Sequence, residues 1–199
     1  MDREKTEWSQ FYWFDTDQQT LPRVLLVGDS IVVGSRQDVA DCLRGTAVVA
    51  AYSTSKIVGD PAIYRELSLA LSDYNIDLIY LNNGLHGLGC TDDFYRKGLT
   101  DLIAVLKQST KAILAWRSST PISVKDRPDT LDPVNNPVVI RRNQIAAEVM
   151  ALNKIPVNDL FQAMVNHPEF RSNDGYHYSP EGYQFIGQHT AKFIGNLLS

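Results

Sequence analysis

The sequence predicts an α/β protein built on a parallel sheet with helices on both faces. Three observations predict it. Short runs of consecutive apolar residues recur along the chain, as strands buried on both faces require. Longer amphipathic segments alternate with them, as crossovers between parallel strands require. Polar residues able to do chemistry follow the apolar runs directly. Right-handed crossovers put every strand's C-terminal end on one edge of such a sheet, and ligands bind at that edge.

In order, the candidate strands are residues 24–28, 47–51, 78–81, 112–116 and 155–157. Between them lie helical segments at 37–43, 61–74, 92–108 and 138–152. Pro61 suits a first helical turn, with Asp60 before it as cap. A last helix starts near Ser179-Pro180-Glu181 and runs to Leu198, with Ser179 as its cap. Asn158-Asp159-Leu160 reads as another helix cap. Two segments fall outside the alternation. Residues 7–15 are aromatic (Trp8, Phe11, Tyr12, Trp13, Phe14) and read as a flap packed over the bottom of the sheet or a helix face, within an N-terminal extension of residues 1–20. Residues 118–137 form a long connection rich in Pro, Asp, Asn and Ser that should border the ligand edge. A loop that long in a compact domain is usually functional or mobile.

The chain has 199 residues, 44% of them hydrophobic and 21% charged, which predicts one globular domain over 1–199. A net charge of −4 with no basic run argues against a nucleic-acid partner. No apolar stretch is long enough to span a bilayer, so no membrane partner is expected. The start, Met1-Asp2-Arg3-Glu4-Lys5, is charged with no apolar core behind it, so no signal peptide and a cytoplasmic location are expected. Cys42 and Cys90 show no metal or redox spacing and read as free thiols.

The chemistry begins at Gly28-Asp29-Ser30, where a serine follows a buried strand. A serine hydroxyl needs a base before it can attack a carbonyl. Asn173-Asp174-Gly175-Tyr176-His177 offers one just before the last helix. A turn there can aim the His177 imidazole at Ser30 while Asp174 accepts its other N–H. Asp29 reads as a brace for the loop rather than a proton carrier. Metal binding is the rival reading of Asp174 and His177, but with only four histidines in the chain a metal cluster lacks ligands. No metal or other cofactor is therefore expected. After the third strand, Asn82-Asn83-Gly84-Leu85-His86-Gly87 can present N–H donors to a developing oxyanion. After the second, the loop from Ser53 to Asp60 can add a main-chain donor at Lys56 or Gly59.

On these residues the chain resembles the SGNH/GDSL hydrolases, a superfamily of esterases and acyl hydrolases. The resemblance covers nearly the whole chain in the order and spacing of its strands. It implies a flavodoxin-like three-layer α/β/α sandwich on a five-stranded parallel sheet. It implies Ser30 as nucleophile with its own N–H as an oxyanion donor, His177 as base and Asp174 as orienting acid. The middle blocks depart from the family. Its third block usually reads Gly-x-Asn-Asp; Gly84 falls on the glycine, so His86 stands for the asparagine and Gly87 for the aspartate. The oxyanion amide could come instead from Asn82 or Asn83. Ser55-Lys56 replaces the usual serine-glycine pair of the second block, with Gly59 nearby. The implied function is hydrolysis of small O-acyl esters, O-acetyl above all. A polar mouth of Asn135, Asn136, Lys56 and Arg117 suggests a carbohydrate ester. The alternatives are acyl transfer or thioester hydrolysis through the same acyl-enzyme, or a catalytically silent module binding a glycan or a partner.

Overall fold

The structure is a computed structural model and describes residues 4–199; Met1, Asp2 and Arg3 of the charged start lie outside them. In chain order the elements are β1 (Ser9–Trp13), β2 (Arg23–Gly28), α1 (Ser30–Leu43), β3 (Val48–Thr54), α2 (Pro61–Asp73), β4 (Leu78–Leu81), α3 (Asp92–Ser109) and β5 (Ile113–Arg117), then β6 (Ser123–Val124), β7 (Arg127–Leu131), α4 (Asn135–Asn153), β8 (Val157–Asn158), α5 (Leu160–Val165) and α6 (Pro180–Leu198). The main sheet runs β1-β3-β2-β4-β5-β8. Its last five strands in that order are mutually parallel, as predicted.

Successive side chains on these strands point to opposite faces, which divides the core in two. Leu25, Val27, Tyr52, Ile79, Leu81 and Trp116 pack beneath α2, α3 and α4. Val24, Leu26, Val49, Ala51, Leu78 and Tyr80 pack against α1 and α6. The result is the three-layer α/β/α sandwich. Among the described residues, no helix is long and apolar enough to cross a membrane.

Three local expectations are corrected. The aromatic segment is not a flap: Ser9–Trp13 is a sixth strand, antiparallel to β3 at the sheet edge. Its period of two explains this. Phe11 and Trp13 turn to the core, with Phe11 stacked on Tyr52 at 5.1 Å, while Tyr12 faces out under Arg36. The first helix starts at Ser30 rather than near residue 37. Asp29 caps it, its carboxylate accepting the Ile31 amide at 3.0 Å. The β-branched pair Val32-Val33 and Gly34 mask the helix in the sequence, but Gly34 is needed: a Cβ there would lie 2.2 Å from the Tyr183 ring of α6. Residues 118–137 are not an open loop; they hold the β6–β7 hairpin and the capped start of α4.

Candidate active site

Three strands deliver their following residues to one edge. Gly28 lies opposite Ser53, and Val27 opposite Leu81, so the loops after β2, β3 and β4 open side by side. The turn from Gly28 into α1 is tight: a Cβ on Gly28 would come within 2.6 Å of Val32 and 3.5 Å of the Arg117 guanidinium. Asp29, 1% exposed, has Arg117 at 3.7 Å as an ion-pair partner beneath the turn. Asp29 thus braces the loop, as the sequence suggests. Its carboxylate takes the Ile31 amide, and its carbonyl takes those of Val32 and Val33. The Ser30 amide, at the first helical position, is an orphan donor.

Ser30 Oγ is 2.8 Å from His177 Nε2, and His177 Nδ1 is 2.6 Å from Asp174 Oδ2. The structure therefore brings the three together across 147 residues of sequence. The Asp174–His177 turn is wound on itself. Asp174 Oδ1 accepts the amides of Tyr176 and His177 and the Ser172 hydroxyl, at 2.9, 2.9 and 2.7 Å. Partial burial alone would push this carboxyl up, but the bonds from His177, Tyr176 and Ser172 outweigh it and hold Asp174 well below the usual carboxylate range. The β6–β7 hairpin pins the turn from outside. The Ser123 amide donates to Gly175 O at 2.9 Å, and the Asp126 amide to Asn173 O at 2.7 Å. The sequence did not assign this role to the long connection.

Beside Ser30 lies an open cleft of about 440 Å3, lined by Glu4, Ser30, Leu85, His86, Gly87, Leu88, Tyr176 and His177. Of the five residues offered as oxyanion or substrate contacts, only His86 lines it. Asn82 is 2% exposed and turns inward, donating to Arg117 O at 2.8 Å and Ser119 Oγ at 3.1 Å. Asn83 staples the neighbouring loop, accepting the Val58 amide at 3.0 Å and donating to Lys56 O at 2.8 Å. The Lys56 amide donates to Thr54 Oγ1, and its ammonium is buried against Ser9 Oγ and Glu66 at 2.9 and 3.2 Å. Gly59 packs under α3, against Phe94 and Gly98. Asparagines after a buried strand are free only if no neighbouring backbone needs them; here two loops do.

The polar mouth is likewise corrected. Arg117 and Asn136 are 2% and 4% exposed, and Asn136 accepts the Ile122 amide. Asp132 caps α4 by accepting the Asn135 backbone amide at 2.9 Å and its side-chain N–H at 3.1 Å, and neither Asn135 nor Lys56 lines the cleft. Its apolar wall is instead Leu85, Leu88 and the Tyr176 ring. Two contributors were not read from the sequence. Arg142, 1% exposed, donates to the carbonyls of Gly84 and His86 at 3.0 and 2.7 Å, and to that of Gly87, which sets the 84–87 loop. Glu4 reaches the cleft from 82 residues away in sequence. Among the described residues, no three His, Cys, Asp or Glu side chains gather as metal ligands.

No family model matches this sequence, and neither does any curated relative. Solved structures do match. A lipase/acylhydrolase from Enterococcus faecalis superposes with a TM-score of 0.70 at 19% identity, over 90% of this chain and 98% of that one. A protein of Slackia heliotrinireducens described as an SGNH hydrolase gives 0.68 at 18%, over 88% and 100%. A variant of an acetyl-xylooligosaccharide esterase from a Geobacillus gives 0.70 at 15%, over 87% and 94%. At these identities the likeness is one of backbone, and it runs nearly the full length of both partners. The chain has the fold of the SGNH/GDSL hydrolases.

Proposed function

We propose that the chain is a serine esterase that hydrolyses small O-acyl esters, acetyl esters first among them, through an acyl-enzyme on Ser30. One observation carries the reading: the unbroken hydrogen-bonded line from Asp174 through both nitrogens of His177 to the Ser30 hydroxyl. Asp174 accepts a hydrogen bond from Nδ1–H, which keeps that proton on Nδ1 and leaves the Nε2 lone pair facing Ser30 Oγ. As Oγ bonds to the substrate carbonyl carbon, its proton passes to Nε2 and the carbonyl oxygen becomes an oxyanion. The Ser30 amide is one donor to it, and His86 stands across the same cleft as the second. When the tetrahedral centre collapses, the C–O bond to the alcohol breaks, and His177 returns the proton to that oxygen. Water then attacks the acyl-enzyme while His177 takes one of its protons; the acyl–Oγ bond breaks, His177 returns the proton to Ser30 Oγ, and the acid leaves.

The cleft supports a small acyl group. Leu85, Leu88 and Tyr176 give it a short apolar wall, while its open side leaves room for a bulky alcohol such as a sugar. One structural neighbour is an acetyl-xylooligosaccharide esterase, which fits a carbohydrate alcohol. The test is turnover of p-nitrophenyl acetate and of acetylated xylooligosaccharide by wild type and Ser30→Ala. The variant should lose turnover while its circular dichroism and melting temperature stay unchanged. Undiminished turnover would remove Ser30 from the chemistry.

A further inference from the structure

The cleft contains a second carboxylate–imidazole pair. His86 Nδ1 is 2.7 Å from Glu4 Oε1, a residue that precedes β1. The ring is also held on another side by Trp8, with ring centroids 6.1 Å apart and planes at 77°. Trp8 is itself fixed to the β3 end: its amide donates to Ser55 Oγ at 3.0 Å, and its carbonyl accepts the Ser55 amide and the Thr54 hydroxyl, each at 3.1 Å. From below, Arg142 holds the His86 carbonyl. Glu4 and Trp8 thus hold the ring, which is 18% exposed, and Arg142 holds its backbone. The one polar atom left over is Nε2, which has no protein partner among the described residues, in a ring that lines the cleft with Ser30 and His177.

We propose that Glu4 is a positioning residue that anchors His86 through Nδ1, so that Nε2–H points into the cleft and donates to the substrate oxyanion. This rests on the serine-esterase reading above. A carboxylate only accepts, so Nδ1 carries a proton. In the neutral ring that bond would leave Nε2 an acceptor, so the donating form is the doubly protonated ring with Glu4 as its countercharge; Arg142 at the His86 carbonyl and His177 in the same cleft are the other charged or titratable groups. The hydrogen bond to the oxyanion is then charge-assisted. The aromatic N-terminal segment thereby acquires a function: it carries Glu4 and Trp8 to the imidazole that the loop after β4 presents to the cleft.

Because the donor acts only on the transition state, loss of its anchor should lower kcat and leave KM. Glu4→Ala should lower kcat on p-nitrophenyl acetate by about 10- to 100-fold, short of the ~100- to 1,000-fold for outright removal of a donor in His86→Ala. The affinity for phenylboronic acid, which forms a tetrahedral adduct on the serine, should fall in parallel. Glu4→Gln, whose amide can hold Nδ1 but supplies no countercharge, should recover only part of kcat, to a value between those of Glu4→Ala and wild type. If Ser30→Ala turns over as fast as wild type, the esterase reading fails and takes this inference with it. If Ser30 is required but Glu4→Ala keeps wild-type kcat, or loses only in KM, only this inference fails. Equal losses in Glu4→Gln and Glu4→Ala would also overturn it, because anchoring would not be what Glu4 supplies.

Discussion

Gly175 is the position where fold and chemistry are most tightly joined, and Gly175→Ala tests that link. Its φ is +89°, in the region L side chains avoid, which costs about 1–2 kcal/mol for alanine. The new Cβ would also sit 2.4 Å from Ser123 O, so the hairpin must retreat and the Ser123–Gly175 hydrogen bond is lost. That bond contributes about 1 kcal/mol. Together the native turn is disfavoured by about 2–3 kcal/mol. Relief comes most cheaply by letting the 172–177 turn move, and His177 moves with it. If the triad forms only in the disfavoured geometry, kcat falls by about 30- to 150-fold at 1.36 kcal/mol per decade. The control is Gly45→Ala: φ is +79°, but nothing lies within 4 Å of its Cβ, and it is far in sequence from every cleft residue. That variant should lose about 1 kcal/mol of stability and no kcat. The assay is p-nitrophenyl acetate kinetics beside thermal unfolding of both variants. If Gly175→Ala keeps at least half of wild-type kcat, the hairpin does not position His177.

Two further predictions follow from the hydrogen bonds. Asp174→Asn keeps an acceptor for the turn amides but can donate to His177 Nδ1, which moves the ring proton to Nε2 and blocks it as a base; kcat should fall by about 10,000-fold, measured as initial rates. A carboxyl lowered in the fold adds stability that is fully present above its unfolded value and lost as pH falls through the folded one. Wild type should therefore exceed Asp174→Asn in stability at neutral pH, with the gap closing only in strong acid; its size is small because half the side chain is exposed. Lys56→Met should destabilise the fold by about 1–3 kcal/mol, because Glu66 loses its buried cation but keeps its bonds from Ser9 and Tyr52. Its kcat should hold; a fall beyond about tenfold at constant KM would return Lys56 to the oxyanion site.

The parallel strands were legible because burial on both faces writes an unbroken apolar run, and the ends of each predicted strand lie within about three residues of the observed ones. The edge strand β1 was not, because Phe11, Tyr12, Trp13 and Phe14 are consecutive aromatics, which hide the period of two until a partner strand is known. The hairpin in 118–137 was hidden for a related reason: β6 is two residues long, and β7 carries Arg127, Pro128 and Asp129 with little apolar alternation.

The site divides along the same line. Ser30, Asp174 and His177 were legible because each sits in a short motif whose local geometry is nearly self-contained: a capped helix start, and a turn closed by its own carboxylate. The donors were not, because availability is a tertiary property. Asn82 and Asn83 look like donors in sequence, yet each amide is consumed by a loop that other residues brought near: Arg117 and Ser119 for one, Lys56 and Val58 for the other. Those bonds close the floor of the site and leave His86 as the side chain that can face an oxyanion from that loop. A histidine offers two nitrogens where an amide side chain offers one NH2, so it needs a partner to decide which nitrogen serves the cleft. Glu4 stands where that partner must be. In the proposed role the histidine and the N-terminal segment act together: the segment that leads into β1 brings to Nδ1 the carboxylate that anchors the ring and balances the charge of an Nε2–H donor.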